Sequence, residues 1–144
     1  MEELTVYAKK TVKLLNDATI VLHMAHWNVR GSNFYECHLL FDQVYDSLNG
    51  LMDGLIERLR GCGYNPDFPE FSGPAISMQT YDCLSLLALT LDYTMAVNGM
   101  VSLFFEYTSS FKGDPRMVGL ADYLQSMSSE ILHNQSLLQQ ALGH

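Results

Sequence analysis

A chain of 144 residues with 48% apolar side chains predicts a single domain with an ample core. Eight basic against sixteen acidic residues give a net charge of −8. Neutralising phosphates needs several basic groups on one surface, so direct nucleic-acid binding near neutral pH is not expected; an acidic shell attracts cations instead. Asp92 interrupts the most apolar stretch, which therefore falls short of the ~18 residues of a membrane span. The acidic start Met1-Glu2-Glu3-Leu4 does not read as a signal peptide, so a cytoplasmic protein is expected.

Leu4, Ala8, Thr11, Leu15, Ala18, Leu22, Ala25 and Val29 recur at helical spacing and predict a first helix over about 3–29. Lys9, Lys10 and Lys13, the one basic cluster, fall inside it. After the turn Gly31-Ser32-Asn33, Asn33 and Glu36 resemble a capping box. Phe34, Phe41, Tyr45, Leu48, Met52, Leu55, Leu59 and Cys62 then form the expected core stripe of a second helix, about 34–61, ended by Gly61 and Gly63. Residues 63–79 carry Pro66, Pro69, Gly73 and Pro74 and read as a linker. Residues 80–110 are apolar on more than one face, which predicts a third helix buried on several sides. Gly113-Asp114-Pro115 stops one helix and starts another, with Asp114 as N-cap and Pro115 as the first helical residue. Met117, Ala121, Leu124, Ser128, Ile131, Leu138 and Leu142 give a fourth helix over about 115–142.

The fold class is therefore all-α. Helices one and two, like three and four, are joined too tightly to be anything but antiparallel neighbours. A linker of 63–79 can span up to ~55 Å, whereas a helix of this length measures about 42 Å. The linker can thus run the length of the bundle and leave helices two and three parallel, with room for a short helix on the way. A four-helix bundle with one long crossover is the ferritin-like arrangement.

His38, Asp42, Asp53 and Glu57 fall within a ~100° arc of one face of the second helix. His38 and Asp53 are nevertheless about 22 Å apart along its axis and cannot share a metal within one chain. A face with imidazole near one end and carboxylates near the other invites a second copy turned by a twofold axis. His38 of one chain then meets Asp53 and Glu57 of its partner, and each dimer holds two equivalent sites. Folding the first two helices back on each other brings His26 close to His38. Two imidazoles and two carboxylates suit ferrous iron or zinc.

The run His26-Trp27-Asn28-Val29-Arg30-Gly31, then Asn33-Phe34, His38, Phe41-Asp42, Tyr45, Asp53 and Glu57-Arg58 resembles the signature of the Dps proteins, the miniferritins of bacteria and archaea. The match is specific over roughly residues 22–63 and general beyond. The resemblance implies a hollow dodecamer that oxidises Fe(II), usually with hydrogen peroxide in preference to dioxygen, and stores the ferric mineral, protecting against oxidative damage. It implies His26, His38, Asp53 and Glu57 as iron ligands at twofold interfaces, Asp42 as a supporting carboxylate and Trp27 as an aromatic neighbour that quenches or donates an electron. Zinc competes for such a site. Carboxylates near the start of the last helix line iron-entry pores in the family; Asp114 and Asp122 are the candidates here, with Arg116 between them. Many members carry a Lys-rich N-terminal extension for DNA, whereas this sequence opens almost at its first helix. Gly50 and Gly54 within the second helix are read as permitting close approach of the twofold partner.

Other readings compete. A DNA-compacting structural protein with a secondary iron site is the alternative function. Glu130-Ile131-Leu132-His133 is a Glu-x-x-His that, with Glu57 and Glu106, would build an intra-chain site, but the second helix lacks the matching His. Cys37, Cys62 and Cys83 form no CxxC pair and read as free thiols, with a metal or redox role for Cys37, beside His38, as the other possibility. His23 and His144 read as incidental, and Trp27 as either core packing or site neighbour.

Overall fold

The computed structural model describes residues 2–65, 67–68, 73–74 and 81–143. Four helices account for nearly all of these: α1 (Glu2–Asn28), α2 (Phe34–Gly61), α3 (Cys83–Ser109) and α4 (Pro115–Leu142). Among the described residues the β contact is a single isolated bridge, Arg30 to Asp82.

Local chemistry sets the helix ends. Asp114 accepts the Arg116 N–H at 3.0 Å and Pro115 supplies its fixed φ to the first turn of α4. Asp82 caps α3 by accepting the Ser85 N–H at 3.0 Å, so α3 starts at Cys83 rather than near 80. Asn33 departs from the expected capping box. It lies in the left-handed region (φ 62°, ψ 23°) and its side chain caps nothing. An N-cap side chain reaches the first turn from extended backbone, whereas Asn33 and Gly31 (φ 89°) are used to reverse the chain.

Contacts at the ends give the topology. The Arg30 N–H donates to Tyr81 O at 2.8 Å and the Cys83 thiol to Ser32 O at 3.1 Å, so α3 begins where α1 finishes. At the other end Tyr64 hydrogen-bonds Thr5, and the Cys62 thiol donates to Arg116 O at 3.4 Å. Helix α2 thus ends where α1 and α4 begin. The two ends of the crossover therefore lie at opposite ends of the bundle, and α2 and α3 are parallel. Helix α1 packs on α2 and α3, α4 packs on α3 and α2, and α2 with α3 form a diagonal. The fold is a ferritin-like four-helix bundle. Most of the crossover, including the room for a short helix, lies outside the described residues.

The α2 stripe that enters the core is Cys37, Phe41, Val44, Leu48, Leu51, Leu55 and Leu59. It is rotated slightly from the expected one: Phe34 is exposed, and Tyr45 and Met52 are half-buried. Each fully buried Leu or Phe here contributes roughly 1.5–3 kcal/mol. Helix α3 is not buried on several sides in the single chain. Leu84, Met95 and Leu103 are exposed on its outer face. By length and composition α3 could cross a membrane despite Asp92, but its other face is core, with Leu86, Leu87, Val97, Val101 and Phe104 packed inside the bundle.

Candidate metal centre

The turn at Gly31 and Asn33 lays the last turn of α1 against the first turns of α2. There His26 and His38 hold each other. His26 Nδ1 lies 2.7 Å from the His38 carbonyl, and His38 Nδ1 lies 2.8 Å from the His26 carbonyl. A carbonyl oxygen only accepts, so each Nδ1–H is the donor. In the neutral ring this leaves the Nε2 lone pair of each imidazole for a ligand. A backbone carbonyl on the far nitrogen is the usual way a metal-binding histidine is oriented. The rings stack with centroids 3.8 Å apart and planes 16° from parallel, so two donors present side by side.

Aromatic rings surround the pair. Phe34 stacks on His38 at 5.2 Å. His23, one turn before His26, lies flat on Tyr45 at 3.4 Å and against Trp27 at 4.8 Å. Burial holds the His23 pKa below the usual histidine value, helped by His26, while Asp42 and Asp46 act to raise it. His23 is therefore part of this wall and not incidental. The spacing 23, 26, 27 against 38, 41, 45 on two antiparallel helices was the signal for it. Trp27 is 67% exposed, so it is not core packing in the single chain. Tyr35 and Leu39 on the same side are also exposed.

Asp42 stands one turn from His38 and is half-buried. Asp53 and Glu57 are exposed farther along the same face of α2. Among the described residues no group of three or more His, Cys, Asp or Glu converges within the chain. The two histidines meet; Asp53 and Glu57 lie about four and about five turns along α2 from His38.

Near the carboxylates, Tyr123 of α4 donates to Leu51 O at 3.3 Å and lies directly over Gly54, where an added Cβ would sit 1.8 Å from its hydroxyl. The close approach that Gly54 allows is thus made by α4 of the same chain, contrary to the expectation of a partner. Gly50 has nothing within 4 Å of that position. The Arg58 guanidinium caps the Tyr123 ring at 5.1 Å. Burial pushes the Tyr123 hydroxyl pKa up; Arg58 lowers it, and Glu130, Glu57 and Asp53 raise it. Glu130 accepts from Ser47 Oγ at 2.6 Å, and the buried Asn134 donates to the same oxygen at 2.7 Å. That network ties α2 to α4, and Glu130 is used there instead of in an intra-chain metal cluster. Of the pore candidates, Asp114 caps α4 and faces Arg116 Nε at 3.6 Å, and Asp122 is exposed two turns on.

The family model described as a ferritin-like domain matches residues 9–144. A DNA protection during starvation protein from Brevibacillus brevis is 40% identical over 47 residues, 33% of this chain and 32% of its own. One from Mycolicibacterium smegmatis is 29% identical over 93 residues, 65% of this chain and 50% of its own. These matches thus span between a third and a half of the relatives' length. A solved structure of a point mutant of Dps1 from Mycobacterium smegmatis superposes with a TM-score of 0.80 at 20% identity, covering 98% of this chain and 95% of that one. The chain belongs to the ferritin-like family, and within it is similar to DNA protection during starvation proteins.

Proposed function

We propose that the protein oxidises Fe(II), with hydrogen peroxide as the preferred oxidant, at di-iron centres shared between subunits, and stores ferric iron in a hollow dodecamer in the cytoplasm. The observation that carries this reading is the reciprocal His26–His38 clasp, which frees two Nε2 donors at one end of a helix face. Asp53 and Glu57 at the other end of that face supply the anionic half of the site from a twofold partner, with Asp42 in support. Exposed Trp27, Tyr35 and Leu39 give the seam an apolar border.

Iron is substrate and product here. Two carboxylates offset much of the charge of a ferrous pair, and two imidazoles fix its geometry. Each Fe(II) gives one electron to peroxide. The O–O bond breaks, two protons are taken up and two waters leave, so no hydroxyl radical is released. Trp27 stands ready to donate an electron if one iron reacts alone. Ferric ions then hydrolyse and move to the cavity, and zinc competes for the ligands. Asp114 and Asp122 remain the candidates for an entry path, though Arg116 offsets much of the charge of Asp114.

The test is stopped-flow oxidation of anaerobic Fe(II) with peroxide and with dioxygen, beside a mass measurement of the assembly. Oxidation well above the buffer rate, faster with peroxide, is expected of a dodecamer. Buffer-rate oxidation by an intact assembly would reduce the protein to a helical scaffold. The DNA-compacting alternative draws support from the relatives' name, but a net charge of −8 opposes it. A low-salt gel shift near pH 7 should show no retardation; tight binding there would favour the alternative.

A further inference from the structure

Cys37 and Cys83 are separated by the rest of α2 and the whole crossover, yet the fold brings them together. Cys37 lies in the first turn of α2, and Cys83 is the first residue of α3. The bridge from Arg30 to Asp82 fixes the start of α3 beside the α1–α2 turn. The Cys83 thiol donates to Ser32 O at 3.1 Å in that turn. Cys37 lies beside Cys83 at this core corner, and burial together with that neighbour pushes its thiol well above the usual value. Both belong to the core, at 5% and 6% exposure, whereas Cys62 sits at the opposite end of the bundle. Two buried thiols thus share one corner of the core.

We propose that Cys37 and Cys83 are a peroxide-reactive dithiol that closes to an intra-chain disulfide beside the histidine pair. One sulfur attacks a peroxide oxygen, the O–O bond breaks, and a sulfenic acid and one water form. The second sulfur attacks the sulfenic sulfur, the S–O bond breaks, and the hydroxyl leaves as a second water with the remaining thiol proton. Two thiols thus lose two electrons and two hydrogens, and one hydrogen peroxide becomes two waters. Proximity of the thiols makes the second step intramolecular, so it outruns attack by another peroxide and halts oxidation at the disulfide. Burial slows the first step and admits only a small neutral oxidant. The sulfurs have to close to about 2.05 Å, by side-chain rotation of two neighbouring thiols. The bond would staple the turn that carries His38 to the start of α3.

The test uses iron-free protein, so its outcome is independent of whether the chain oxidises iron. The protein is treated with hydrogen peroxide, quenched, denatured, alkylated and digested without reductant by trypsin and chymotrypsin, which cut between all three cysteines. The expected product is a Cys37–Cys83 cross-linked peptide lighter by two hydrogens, with Cys62 alkylated. The cross-link should persist in Cys62→Ser and vanish in Cys83→Ser, where Cys37 is alkylated or over-oxidised. Recovery of Cys37 and Cys83 both alkylated, each separately over-oxidised, or joined to Cys62 or another chain overturns the proposal. Should Cys83→Ser not fold, the wild-type peptide map alone decides.

Discussion

At the scale of single residues, the same type can serve opposite ends within one helix. Gly50 and Gly54 are four apart in α2 and each weakens an isolated helix by ~1 kcal/mol relative to alanine. Gly54 is held by packing, because any Cβ there would drive into the Tyr123 hydroxyl. Gly54→Ala should force Tyr123 off Leu51 O and from under Arg58, at a cost of about 1–3 kcal/mol that exceeds the gain in helix propensity. Gly50→Ala meets nothing in the chain and should stabilise the fold by up to ~1 kcal/mol. Denaturant midpoints of the two variants check this. Equal shifts would mean that Tyr123 does not seat as described. If Gly50→Ala also weakens assembly, the open side of Gly50 belongs to the subunit seam.

At the scale of elements, caps and stripes make the helices and can be tested by pH. Hydrogen bonds from Ser85 hold the Asp82 carboxyl below its usual value of 3.8. A carboxyl whose pKa is depressed on folding stabilises the fold above the unfolded value and loses that effect as pH falls through the folded value. Asp82→Ala should therefore lower Tm near pH 7, and its difference from wild type should fade as pH falls through the depressed pKa of the folded carboxyl. A difference unchanged in acid would show that the carboxylate is not what caps α3. The caps at Asp114-Pro115 and the helical periodicities were legible from the sequence because both are local. The α2 face of His38, Asp42, Asp53 and Glu57 was legible for the same reason. Asn33 was misread because a cap and a left-handed turn residue share one residue type, and only φ separates them. The placing of Tyr123 over Gly54 and of Cys37 beside Cys83 depends on pairings between helices, which leave no mark in local spacing.

At the scale of the whole molecule, half of the proposed centre is visible in one chain, and in the proposal the other half comes from a partner. The histidine clasp is intra-chain and complete. Asp53 and Glu57 lie about 22 and about 28 Å along the helix axis from His38, beyond any coordination distance. A shared centre makes a quantitative prediction that an intra-chain centre does not. His38→Ala and Asp53→Ala assemblies should each be inactive in Fe(II) oxidation. When the two are mixed before assembly, each mixed twofold interface pairs both lesions in one centre and leaves the other intact. With random pairing of equal amounts, half of the interfaces are mixed, so about a quarter of wild-type activity should return. Stopped-flow rates of the co-assembled material, with mixing verified by native mass measurement, check the figure. An intra-chain centre would give no recovery at all, because every chain would then carry its own broken site.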